Sequence, residues 1–209
     1  MPPALVVDAH GFPAVALAGP VAVGLLPVLK AQFEVAYGTP GGPDVLPYAE
    51  CCAVNPRVTW RTAGASPEGH FLTGVLPAEA VAVAARLAPG GRLATADEWR
   101  EADALLDAPL SPDHLTQLLA VARLHPAARA VLRRAGAVAT SWRGLGDGLL
   151  EWVQGPTGPG LYGRPRRDFA INLILNPRIH PPAIPRGPDR HRAYGLRLAT
   201  PRGTERRPA

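Results

Sequence analysis

The chain has 209 residues, 47% of them hydrophobic, at a mean hydropathy near zero, enough to bury one ordinary core and without a composition break that forces a second. Pro (25) and Gly (22) together exceed a fifth of the residues; they interrupt apolar runs rather than replace them, which excludes a disordered chain and predicts a loop-rich globule. At a net charge of +5 the basic residues are almost all arginine, and residues 155–209 hold eleven arginines against Asp168, Asp189 and Glu205, an asymmetry that permits an anionic partner.

At the amino terminus the apolar run is broken by Asp8 and His10 before it reaches the length of a signal peptide, and no basic residues precede it. No apolar stretch approaches the length of a membrane span. The two cysteines are adjacent, Cys51-Cys52, which offers no disulfide framework, so the expected address is the cytoplasm. Residues 4–7, 13–17 and 20–29 are short β-branched or alanine-rich runs punctuated by Gly11, Pro13, Gly19, Pro20 and Pro27, a pattern of strands joined by tight turns. Residues 40–47 read as a loop, and Asn55–Trp60 as a turn entering a short extended piece.

Helices follow, each with a start signal. Pro77 opens a helix to Leu87 that Pro89-Gly90 stops. Thr95-Ala96-Asp97-Glu98 has the form of a capping box, which predicts a helix with Trp99, Ala102, Leu105 and Leu106 inward. Ser111-Pro112-Asp113 opens a third helix spaced to Leu124, and a fourth segment, Ala127–Ala135, ends at Gly136. After it, Ala137–Trp142, Leu149–Val153, Phe169–Leu175 and Tyr194–Ala199 read as strands, and residues 200–209 as a basic tail. Strands at both ends with helices between them predict an α+β fold of one domain, residues 1–199.

Arg92-Leu93-Ala94-Thr95-Ala96-Asp97-Glu98-Trp99 resembles the R-L-P-T-E-A-E-W signature of the formylglycine-generating enzyme, or sulfatase-modifying factor, domain family, with Ala94 in place of proline. Phe33-Glu34-Val35, Val58-Thr59-Trp60 and the Pro77–Leu87 helix sit where that family has its upstream pieces. Leu149-Leu150-Glu151-Trp152-Val153 looks like the end of its G-N-V-W-E-W-V motif, and Gly195-Leu196-Arg197-Leu198 like its closing G-F-R-L. The resemblance, colinear over about residues 20–199, implies an irregular C-type-lectin-like fold with a small antiparallel sheet flanked by helices.

The family's copper is held by a pair of cysteines near the C-terminus, thiolate being the soft ligand that suits Cu(I), and residues 155–209 contain no cysteine. His10, His70, His114, His125, His180 and His191 stand singly, without metal-ligand spacing. The family's calcium loop keeps Glu151, and Asp147 is a substitute ligand, but Gly144 stands where the asparagine would be. Calcium is therefore expected to be absent or weakly held, no other cofactor is expected, and Glu151 is expected to hydrogen-bond loop amides. Arg123, Arg129, Arg133 and Arg134 are expected to stud the polar side of the third and fourth helices.

These residues predict a non-catalytic module whose C-terminal segment, roughly residues 163–194, meets a protein or small ligand, with Arg178, His180, Asp189, Arg190 and His191 as contacts and Trp142 and Arg143 nearby. Through the resemblance, an accessory role in a bacterial multi-protein system is implied. The alternatives are an oxidoreductase with an unfamiliar metal site, for example through His180 and His191, and nucleic-acid binding through the arginine-rich quarter, with Tyr162, Phe169 and Tyr194 to stack bases.

Overall fold

The computed structural model describes residues 2–37, 71–72, 75–146, 149–163 and 194–202. In chain order the elements are β1 (Leu5–Val7), β2 (Pro13–Ala16), β3 (Val21–Gly24), α1 (Lys30–Tyr37), α2 (Pro77–Leu87), β4 (Arg92–Leu93), α3 (Ala96–Leu106), α4 (Pro112–Ala120), α5 (Pro126–Gly136), a 3-10 turn (Arg143–Leu145), β5 (Leu150–Gly155), β6 (Gly158–Gly163), β7 (Tyr194–Leu196) and β8 (Leu198–Pro201). The architecture is α+β, as the order of runs predicts. Among the described residues it has two small sheets where one was expected.

The first sheet has the order β1-β2-β3-β8-β4 and is antiparallel throughout. The turn between β1 and β2 is held by Asp8, whose Oδ1 accepts from the backbone N–H groups of His10 and Phe12 at 2.9 and 2.8 Å, an Asx turn. Within it Gly11 takes φ +88°. The second sheet, β6-β5-β7, joins an antiparallel hairpin to a parallel pair, with Trp152 registered against Leu161 on one side and Leu196 on the other. Strands β7 and β8 flank a single residue, Arg197. There the chain passes from one sheet to the other.

Helix α2 starts as its proline predicts, with the Leu76 N–H on the Glu79 carboxylate at 3.0 Å, and buries Ala80, Val83, Ala84 and Leu87 in the main core with Trp152, Tyr194 and Leu161. Helix α3 buries Ala102 in a smaller cluster with Leu17, Val23, Ala94 and Ala199, and Leu106 in the main one. Trp99 and Leu105, the other two members of its expected stripe, pack partly covered at the edge of the smaller cluster.

Five local expectations are corrected. Only Val21–Gly24 of residues 20–29 is strand; Leu25, Leu26, Val28 and Leu29 are core residues leading into α1. The third helix ends at Ala120 rather than Leu124, because the Arg129 guanidinium takes the carbonyls of Leu119, Val121 and Leu124. Ala137–Trp142 forms no strand: the N–H groups of Val138 and Ala139 fold back onto the Ala135 carbonyl. Strand β6, unexpected in a Gly/Pro-rich stretch, forms because its Pro159 lies on a sheet edge, where no N–H is needed. The strand β8 runs on through Thr200 and Pro201, and the Arg202 N–H bonds the Pro20 carbonyl at 2.8 Å, so the first residues of the expected tail are part of the sheet. The expected features at residues 40–47, Asn55–Trp60 and Phe169–Leu175, and Cys51-Cys52, lie outside the described residues.

Candidate functional site

Three of the fragments that carry the family resemblance, residues 92–99, 149–153 and 195–198, meet in space. After β4 the chain sets the capping box: the Thr95 hydroxyl accepts from the Glu98 N–H at 3.2 Å and the Glu98 carboxylate accepts from the Thr95 N–H at 2.9 Å. Arg92 grips the same carboxylate through both terminal nitrogens at 2.6 Å, and this bond holds Glu98 below the usual carboxylate range. With the first turn so fixed, Trp99 in the next position donates its indole N–H to Glu151 Oε2 at 2.7 Å.

Glu151 lies on the central strand of the second sheet, 3% exposed. Arg197 Nε lies 2.9 Å from both its oxygens. The Arg197 guanidinium also donates to the carbonyls of Gly24 and Leu25, where β3 has just left the first sheet. Trp99, Glu151 and Arg197 thus tie α3, β5, the β7–β8 junction and the end of β3 together. On its neighbour Trp152, the indole N–H bonds the Val75 carbonyl at 2.6 Å and the ring meets Tyr194 edge-on at 5.8 Å. Burial is the largest influence on the Glu151 carboxyl and pushes it up, with Arg197 and then Trp99 pulling the other way.

This geometry corrects the expected role of Glu151 in one respect. Its carboxylate is held by side chains, not by loop amides, because the amides around a central strand are already spent in the ladders. As a metal candidate, Glu151 has both oxygens turned to Arg197 and Trp99, and Asp147 lies outside the described residues. Among the described residues no three His, Cys, Asp or Glu side chains stand close enough to hold a metal ion.

The expected ligand contacts divide. Trp142 is a core residue, 1% exposed. Arg143 closes the 3-10 turn onto the end of α3, with ion pairs to Asp103 at 2.7 Å and Asp107 at 2.9 Å and a bond to the Asp103 carbonyl at 2.9 Å. Trp142 is not presented at the surface, and Arg143 is only partly exposed. Arg178, His180, Asp189, Arg190 and His191 lie outside the described residues, but the ends of their segment do not: Gly163 and Tyr194 both register with Leu150, one on each side of β5. His125 caps α5 through Nδ1 and stacks on Phe12 at 4.7 Å, a structural use. Arg129, expected on a polar face, instead closes the carbonyls at and just after the end of α4.

The pairing of Glu151 with Arg197 is what sequence reasoning missed. Each is a lone charge inside an apolar strand run, Leu150-Glu151-Trp152 and Leu196-Arg197-Leu198, and two such charges of opposite sign are each the other's natural partner in one core. Compared with protein-family models, with curated proteins and with solved structures, the chain matches none.

Proposed function

We propose that this chain is a non-catalytic binding module on a C-type-lectin-like scaffold of the formylglycine-generating-enzyme kind, and that its partner is another protein of a multi-protein bacterial system. The charged and aromatic residues that carry the resemblance, Trp99, Glu151 and Arg197, are consumed by one another in a buried cluster. They serve as frame, with no reactive atom left facing solvent. The observation that carries the reading is the anchorage of residues 164–193: both ends of this long, arginine- and histidine-bearing segment are pinned to the same residue, Leu150, of the central strand of the second sheet. A segment displayed from so rigid a base is where recognition concentrates.

The test is affinity capture of the full chain from its native host, read by mass spectrometry, beside a variant carrying Arg178→Ala, His180→Ala, Arg190→Ala and His191→Ala. A protein held by the wild type and released by the variant is the expected result. Equal capture by both refutes the assignment of those residues. Stoichiometric copper or iron in the purified protein would overturn the non-catalytic reading itself.

A further inference from the structure

We propose that the open edge of β1 is a homodimerisation strand, pairing antiparallel with β1 of a second copy of this chain about a two-fold axis through Val6. Within the first sheet β1 is bonded only to β2. The bonds from Asp8 N–H to the Phe12 carbonyl and from Ala16 N–H to the Ala4 carbonyl show that Ala4, Val6 and Asp8 turn their backbone groups toward β2. Leu5 and Val7 therefore turn theirs outward, and no hydrogen bond among the described residues reaches them. An edge of this kind is a template for another strand.

Among the described residues the other sheet edges are interrupted or partly taken. On β6 the edge carries Pro159, which cannot donate to a neighbour. The β7 edge is taken by the Val28 N–H on the Leu196 carbonyl, and the short β4 is continued by the Gln154 N–H on the Ala94 carbonyl. By contrast, Leu5-Val6-Val7 has no charge, proline or bulge, and Val6 is 38% exposed. Behind it the small side chains Ala14, Ala22 and Thr200 leave an open cleft of about 840 Å³ on the sheet face that Val6 shares. Pro89, Val121 and Arg123 also line this cleft.

The occupant is a second copy because β1 is its own complement. Antiparallel pairing centred on Val6 sets Leu5 against Val7 of the other copy, so the outward N–H and C=O groups of both residues are matched twice over. Val6 then meets Val6 of the second copy across the close, non-bonded position. Asp8 falls opposite Ala4, so no like charges are opposed. The two first sheets become one continuous sheet, with both copies' 164–193 anchors left untouched on the second sheets.

Sedimentation equilibrium of the full chain over a wide concentration range tests this. The expected mass rises from 22.0 kDa toward twice that value with concentration. Val6→Lys and Val6→Asp, each shown to be folded by an unchanged circular dichroism spectrum, put like charges across the axis and weaken the dimer by roughly tenfold or more. An equimolar mixture of the two variants restores association, since Lys then faces Asp. A wild type that stays monomeric throughout, a Val6→Lys variant as dimeric as wild type, or a mixture that stays monomeric overturns the proposal; in the second case the dimer uses another face.

Discussion

Arg197 is the side chain whose loss leaves most behind. Shortening it strips a buried carboxylate of its ion-pair partner and frees two backbone carbonyls, so Arg197→Met is expected to cost about 3–5 kcal/mol in urea unfolding. Glu151→Gln with Arg197→Met removes both charges and is expected to cost less than the sum of the single changes, a coupling that a double-mutant cycle reads directly. The pH dependence has a definite sign. Burial already pushes the Glu151 carboxyl up and Arg197 is the largest opposing influence; without Arg197 the carboxyl rises further. A raised carboxyl stabilises the fold at low pH and loses that contribution as pH climbs through its value, so the Arg197→Met deficit shrinks on acidification. Glu98 behaves oppositely. Its carboxyl is lowered by Arg92, so its contribution is present above about pH 4.5 and is lost as pH falls through its depressed value. Because Arg92 is well exposed, 44%, Glu98→Gln is expected to flatten the acid limb of stability by under about 1 kcal/mol.

At the scale of elements, stability is set where the chain turns. Gly11 at φ +88° has no room for a side chain: a Cβ there would lie 2.3 Å from the Arg123 carbonyl oxygen and 2.7 Å from the His125 nitrogen, backbone atoms that seat the start of α5 against the β1–β2 turn. Gly11→Ala is therefore expected to lower stability by about 1–3 kcal/mol through strain and displacement. Thr95→Ala, which removes one half of the α3 capping box, is expected to cost about 1 kcal/mol; thermal melts of the two variants rank the effects. The same turns explain what could be read in advance. Helices α2 and α3 were legible because Pro77 and the Thr95–Glu98 box are local devices that act within four residues. The end of α4 was not, because the group that stops it is Arg129 of the next helix. Strand β6 was hidden for a related reason: its glycines and proline give no strand signal, and only pairing with all six residues of β5 makes it one.

For the molecule as a whole, the buried cluster acts as a fixed point around which variable length can be tolerated. Trp99 and Glu151 are 52 residues apart and Glu151 and Arg197 are 46 apart. Sequence supplied the three residues, each inside its own fragment; the meeting of the fragments depends on a sheet-to-sheet crossing at Arg197 that no local pattern encodes. That crossing also fixes where residues 164–193 begin and end. Gly163 and Tyr194 flank Leu150 on neighbouring strands, which sets their separation at two strand spacings, about 10 Å. A flexible linker of about six Gly and Ser residues reaches farther than that when extended, so it can arch past the start of β5 and rejoin the chain. Replacing residues 164–193 by such a linker is expected to leave a cooperative unfolding transition within about 2 kcal/mol of wild type, since loop closure changes slowly with length, while abolishing capture of the partner protein. Loss of both fold and capture would make the segment part of the core rather than a displayed surface. Retention of both would move recognition elsewhere on the molecule.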